Sequence, residues 1–279
     1  MVALKNISPG TKILIEAPIF TVSMPEMIAG QGFRIQDMVA DIEHQFSKLS
    51  LPQQEEFLAL HDHRFPGDSE SHLLTIFRSN AYNTGNNHVG AFPKTARINH
   101  SCRPNCGNFW SEGTGTRIIY AQREIREGEE ITVSYIPLLK SIKDRQARLQ
   151  QYGFVCDCAA CQDVESSKRR VRIADLMEEL EGKAQKVYGG GSKNKEKEIL
   201  GRLAGKAERL VGLIEKEDLG DYLVRVYRVA SVFEGKRGEV EKAVGWAKKE
   251  LVVHRWADRE LEEVKVTKKY IEKLERDLK

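Results

Sequence analysis

All five cysteines of this 279-residue chain fall in two short, well-separated stretches. "SCRPNC" holds Cys102 and Cys106, and "VCDCAACQ" holds Cys156, Cys158 and Cys161. The second stretch reads Cys-x-Cys-x-x-Cys and places three thiols in one tight turn. Tetrahedral zinc favours sulfur but needs four ligands, so three are one short. The fourth has to come from elsewhere, and Cys102 and Cys106 are the other cysteines of the chain. Three unrelated buried thiols would not favour this spacing. A thioredoxin-like redox pair needs a Cys-x-x-Cys opening a helix after a strand, and that context is missing. An odd count also suits a disulfide framework poorly. One shared metal is the better explanation, and it fixes a long-range contact on which the rest of the fold must close.

The texture around these stretches changes along the chain. "TKILIEAPIF" reads as a strand ended by Pro18, after a Ser8-Pro9-Gly10 turn. Over residues 34–61 the period becomes helical, with Ile35, Met38, Val39, Ile42, Phe46, Leu49, Phe57, Leu58 and Leu60 on the apolar side. A short helix is predicted over 71–82. From Tyr82 to Ile136 strands and turns return: "TRIIYAQREI" alternates and "EITVSY" follows a Gly-Glu-Glu turn. Residues 138–152 are helical again. Beyond Gln162 everything reads as charged helix. One apolar stripe runs Ile173, Leu176, Met177, Leu180, Ala184 and Val187. A second runs Leu200, Leu203, Ala207, Leu210, Val211 and Ile214. "GGGSKNKEK" at 189–197 reads as a flexible break, Asp221 as a cap for a third helix, and two more helices are predicted at 237–255 and 258–277.

Composition excludes several classes. The net charge of +3 gives no footprint for direct nucleic-acid binding. No apolar run reaches membrane-spanning length, and no signal-peptide core opens the chain. With reduced thiols, these features point to an intracellular protein of the nucleus and/or cytoplasm.

Three stretches together carry a resemblance. "RINHSCRPNC" resembles the Asn-His-Ser-Cys-x-Pro-Asn motif of SET-domain protein lysine methyltransferases, "GEEITVSY" their second signature, and "QQYGFVCDCAAC" their junction with the post-SET cysteines. The resemblance covers about residues 1–162 and is nearest to the SET-and-MYND branch and fungal SET-domain proteins. It implies an α+β chain: a β-rich SET fold over 1–155 with a helical insert at about 34–78, a zinc-bound post-SET segment at 156–162, and a C-terminal all-helical array at 163–279. It also implies S-adenosyl-L-methionine as cofactor, structural Zn²⁺, and a protein substrate, histone or not, that offers a lysine. On this pattern the metal ligands are Cys102, Cys156, Cys158 and Cys161, with Cys106 left over. Tyr135 matches the catalytic tyrosine. Asn80, Asn99, His100, Tyr135 and Phe154 match cofactor-binding positions, and Tyr152 a wall of the lysine channel. Asn105 is expected to hold a knotted crossing of two chain segments. The histidines of "HDH", His61 and His63, are expected on a surface loop, and they, His72 and His88 match no family position.

The chain departs from the pattern in two places. No cysteine or histidine run between Phe20 and the insert could build a MYND module. Family members also carry Gly-x-Gly just before the segment that matches "MVALKNISPG", whereas Met1 stands where the residue after that motif would be. Truncation, a misplaced start and true loss all fit. In each case the chain as written is expected to bind the cofactor weakly, because those glycines admit the backbone close to it. A SET-fold pseudoenzyme that grips a partner, and a purely structural zinc protein, are the rival readings.

Overall fold

A computed structural model describes residues 1–25, 27–28, 32–64, 67, 69–186, 193–258 and 260–276. The first strand, β1 (Lys12–Glu16), ends before Pro18 as expected, and β2 (Phe20–Ser23) begins after it. A minimal hairpin, β3 (Met27–Ile28) and β4 (Gly32–Phe33), leads into the insert. The insert is α1 (Ile35–Ser47), α2 (Leu51–Leu58) and α3 (His72–Asn80). Ser50 and Gln53 form a capping box at the start of α2, where Pro52 suits the first turn. Ile42, Phe57, Leu60, Ile76 and Phe77 close a core with Phe20 and Val22 of β2. Ile35 and Leu58, expected in this stripe, are exposed.

Next come β5 (Ala81–Asn83), β6 (His88–Ala91), β7 (Asn99–His100), β8 (Cys106–Ser111), β9 (Thr116–Ala121) and β10 (Thr132–Val133). They do not join in one sheet. The orders are β1-β9-β8, β2-β6-β5 and β10-β7, beside the β3-β4 hairpin. Strand β9 corrects the alternating pattern read from the sequence, because both of its faces are covered. Ile119 and Ala121 pack on Ile98, Ile125, Ile131 and Val133, while Ile118 and Tyr120 pack on Trp256 and Ala257 of the tail.

The remaining elements are helices: α4 (Ile142–Leu149), α5 (Ala159–Gln162), α6 (Val164–Ala184), α7 (Lys193–Lys216), α8 (Leu223–Lys236), α9 (Val240–Ala257) and α10 (Glu262–Arg276). Both apolar stripes read in the tail are turned inward, except Val187, which lies outside the described residues. The break expected at 189–197 falls partly outside them too, and from Lys193 onward the chain is helical. Asp221 does not cap α8. Its carboxylate accepts a hydrogen bond from Gln122 Nε2 instead, tying the tail to the end of β9.

The tail is continuous with the β portion. Cys102, Ile136, Leu138 and Leu149 share one core with Ile173, Met177, Leu203 and Phe233. The Tyr222 hydroxyl accepts the Leu138 N–H at 3.1 Å, and Ser111 Oγ donates to Asp258 at 3.1 Å. Gly10 turns with φ +80°, and Trp256 lies so close that a Cβ would sit 2.4 Å from its ring. Only glycine satisfies both demands.

Candidate functional site

Strands β7 and β10 run parallel, with Asn99 beside Thr132 and His100 beside Val133. The Gly-Glu-Glu turn before β10 holds them there. Glu130 Oε1 accepts from Asn99 Nδ2 at 2.7 Å. Glu129 accepts from Asn105 Nδ2 at 3.1 Å, Arg123 Nη2 at 2.6 Å and the Arg126 N–H at 3.1 Å. The hydrogen bond from Arg123 is the main cause that holds the Glu129 pKa down to about 2, so this clamp is charged at neutral pH. Asn105 closes it: Oδ1 accepts the Thr132 N–H at 2.9 Å, and Nδ2 donates to the Glu130 carbonyl at 2.8 Å. The two signatures are therefore halves of one hydrogen-bonded crossing.

His100 leaves this crossing with both ring nitrogens engaged. Nδ1 accepts the Tyr135 N–H at 3.0 Å, which places the ring proton on Nε2, 3.4 Å from Cys102 Sγ. Burial pushes its pKa down to about 4, so the ring is neutral. Any contact it makes with a bound molecule is left to its ring face and backbone.

The sulfurs of Cys102, Cys156, Cys158 and Cys161 lie within 4.8 Å of one another, and Cys102 and Cys161 are 3.6 Å apart. A tetrahedron with zinc–sulfur bonds of about 2.3 Å has edges of roughly 3.8 Å, so this donor set fits zinc. Without a cation the four share protons: hydrogen bonds with Cys156 and Cys158, and then burial, drive the Cys102 thiol up, while Cys158 is driven down by accepting from Cys102 and Cys156. Only a cation among them lets all four take the thiolate form that ligates metal. Helix α4 secures the loop. Gln146 holds Cys156 by Nε2 to its carbonyl at 2.7 Å and Oε1 from its N–H at 3.0 Å. The fully buried Arg145 donates to the Ala160 carbonyl at 3.1 Å and lies 3.7 Å from Cys161 Sγ. Cys106 stands apart: it is buried, it donates to Asn105 Oδ1 at 3.4 Å, and burial pushes its thiol up to about 12.

Beside this centre is a cavity of about 210 Å³ walled by Ser79, Asn80, Tyr82, Asn108, Tyr135 and Tyr152. The Tyr135 hydroxyl donates to the Ile98 carbonyl at 2.5 Å. Burial, then the neighbouring Tyr152, pushes its pKa up to about 12, so it is a hydrogen-bond donor at neutral pH and not a base. Tyr152 lies 5.1 Å from it, ring to ring, while Phe154 stands edge-on at 6.5 Å and 6.1 Å from His100. Gly153, with φ +79°, makes the turn between these two aromatics, and His63 packs where its Cβ would be. Asn80 is buried at the end of α3, where Nδ2 donates to the Ile76 and His61 carbonyls, each at 2.7 Å. Asn99, by contrast, lies exposed at the crossing. The "HDH" histidines gather no metal set. His61 is exposed with Nε2 3.3 Å from the Tyr152 carbonyl, and among the described residues only the four cysteines form a metal-capable group.

Sequence reasoning missed three contributors. Tyr82 follows Asn80 by two residues, and that proximity was the available signal. Asn108 and Arg117 carried none. Arg117 sits on β9 with its guanidinium over Tyr82 at 4.8 Å, Phe92 at 5.0 Å and Trp110 at 6.0 Å. It donates to Asn108 Oδ1 at 2.6 Å and to the Asn83 carbonyl. Burial lowers its pKa to about 10, which leaves it charged.

Residues 1–136, which span the crossing and Tyr135, match the SET domain family model. The chain carries a SET domain. The histone-lysine N-methyltransferase set5 of Schizosaccharomyces pombe is 33% identical over 177 residues, 63% of this chain and 50% of that protein. Mouse histone-lysine N-methyltransferase SMYD3 is 41% identical over 76 residues, 26% of this chain and 17% of its own. Chicken N-lysine methyltransferase SMYD2 is 41% identical over 92 residues, 32% of this chain and 21% of its own. The match thus spans half or less of each of these relatives. No helix among the described residues is long and apolar enough to cross a membrane.

Proposed function

We propose that this chain is a protein-lysine N-methyltransferase that uses S-adenosyl-L-methionine. The observation that carries the reading is the convergence of Tyr82, Tyr135 and Tyr152 on one small cavity beside the β7–β10 crossing. A lysine amine has a free pKa of about 10.4 and must be neutral to attack. A narrow aromatic cavity supplies that, because desolvation disfavours the ammonium. The cofactor, when bound, supplies an already activated methyl group. The lysine nitrogen gains a bond to that carbon as the carbon–sulfur bond breaks, and the amine proton leaves to solvent. What remains for the protein is position and electrostatics. Tyr135, held by the Ile98 carbonyl, orients the reacting groups. Phe154 offers a ring face for the adenine, Asn99 and the His100 backbone hold the polar part, and Asn80 shapes the meeting of the two sites. Cys102, Cys156, Cys158 and Cys161 hold a structural zinc that fixes Phe154 and Tyr152 against the crossing, since four protein thiolates leave no open position for substrate. A lysine-bearing protein, histone or not, in the nucleus or cytoplasm is the substrate class that follows.

Calorimetric titration with S-adenosyl-L-methionine tests the reading. Phe154→Ala should weaken binding about 10-fold or more, the usual worth of a base stacked on an aromatic ring. Binding that ignores Phe154 would remove the ring from the cofactor site and favour the partner-gripping reading.

A further inference from the structure

A second recess lies in the helical tail, sharing no residue with the tyrosine cavity. It encloses about 620 Å³ between the end of α6 and the facing sides of α8, α9 and α10. This size is that of pockets that take a few side chains or a small ligand. Its walls are apolar: Ala184, Val224, Val229, Val232 and Val266. Four carboxylates line it, Glu181, Glu250, Glu262 and Glu263, against two guanidiniums, Arg225 and Arg228. Arg225 is spent on Glu181 in a bidentate pair at 2.8 and 2.7 Å. Arg228 is spent on Glu250 Oε1, at 3.0 and 2.8 Å. Glu262 and Glu263 remain as surplus negative charge at the rim. The ion pair of Glu262 with Lys265, at 3.5 Å and exposed, offsets little of it.

The floor is unusual. Glu250 is buried, and Oε1 takes every bond offered: Arg228, Thr267 at 3.2 Å and His254 at 3.4 Å. Its other oxygen, Oε2, has no hydrogen-bond partner among the described residues. Valine walls and a surplus of two carboxylates at the rim select an occupant that is apolar and basic.

We infer that this recess docks a basic segment of a partner protein, one that presents a lysine or arginine between apolar residues. The interaction is independent of the methyl-transfer reading, so its test uses binding alone. A fluorescein-labelled peptide of alternating lysine and leucine is titrated by anisotropy, with the matching glutamate–leucine peptide as comparison. The exposed pair Glu262→Lys/Glu263→Lys should weaken the lysine peptide at least 10-fold and bring in the glutamate peptide. Val266→Glu, on an exposed wall position, should weaken the lysine peptide as well by breaking the apolar contact. Glu208→Lys/Glu241→Lys, two exposed sites outside the recess, should change nothing. Equal losses from both charge-swapped pairs, or a wild-type preference for the glutamate peptide, would overturn the inference.

Discussion

Replacing Cys102 with serine is expected to empty the zinc site and loosen the SET domain, whereas Cys106→Ser is expected to do neither. The two cysteines lie in the same short stretch and are both buried, so burial alone does not separate them. What separates them is that Cys102 meets Cys156, Cys158 and Cys161, while Cys106 meets Asn105. Three thiolates hold zinc much more weakly than four, and a metal that binds only the folded chain contributes its binding energy to folding. A loss of about 3 kcal/mol would lower the unfolding temperature by roughly 6–12 °C in a chain of this size. Elemental analysis after dialysis should find about one zinc per chain in the wild type and in Cys106→Ser, and far less in Cys102→Ser. Equal zinc in the two variants would remove Cys102 from the ligand set.

The second large effect is expected at the seam between the SET domain and the tail. Arg170 of α6 is fully buried and donates from Nη1 to the Cys102 carbonyl at 2.8 Å. It also donates from Nε to Glu217 Oε2 at 3.1 Å, and Glu217 is fully buried too. Ser166, Arg169 at 2.6 Å and Arg103 at 3.6 Å also meet the Glu217 carboxylate. Removing one partner of such a pair strands a buried charge, at a cost of about 3–5 kcal/mol. Glu217→Ala should therefore destabilise the whole chain, because it leaves the Arg170 guanidinium without its acid. Arg170→Met added to it should restore part of the loss, since the stranded charge is then gone. Chemical denaturation of both single variants and the double variant measures this coupling. Purely additive losses would mean that the pair does not hold the Cys102 stretch to the tail.

Much of this arrangement is legible in residue spacing and in the family resemblance together. The cysteine pattern and the two signatures flanking the crossing pointed to the site, and the periodic stripes of α7 marked the tail as packed. The rest depended on contacts that periodicity does not carry. Strand β9 read as half-exposed because its second face is covered by residues more than a hundred positions later, Trp256 and Ala257. Asp221 has the residue type of a cap, yet Gln122, distant in sequence, engages its carboxylate. Arg117 carries no signal on its alternating strand. Its aromatic surroundings, Tyr82, Phe92 and Trp110, come from three separate segments and meet only in the folded chain. His100 matches a cofactor position in the sequence, and the bond from the Tyr135 N–H that occupies its Nδ1 appears only once β7 and β10 are brought together, while Cys102, beside its Nε2, is two residues away.

Transfer of labelled methyl from S-adenosyl-L-methionine to lysine, with wild type and Tyr135→Phe compared across pH on histone and non-histone protein substrates, tests the central claim most directly. The account predicts methyl-lysine in the product by mass spectrometry and a turnover lowered 100-fold or more in Tyr135→Phe (an expectation on the order of the general effect of a positioned hydrogen-bonding group), with cofactor affinity little changed. It also fixes the sign of the pH profile. Tyr135 stays protonated up to about 12, so the wild-type rate should climb as the substrate amine loses its proton and should not fall from ionisation of Tyr135 below pH 10. No methyl-lysine from a wild-type chain that binds the cofactor, or the same turnover with and without the Tyr135 hydroxyl, would contradict it.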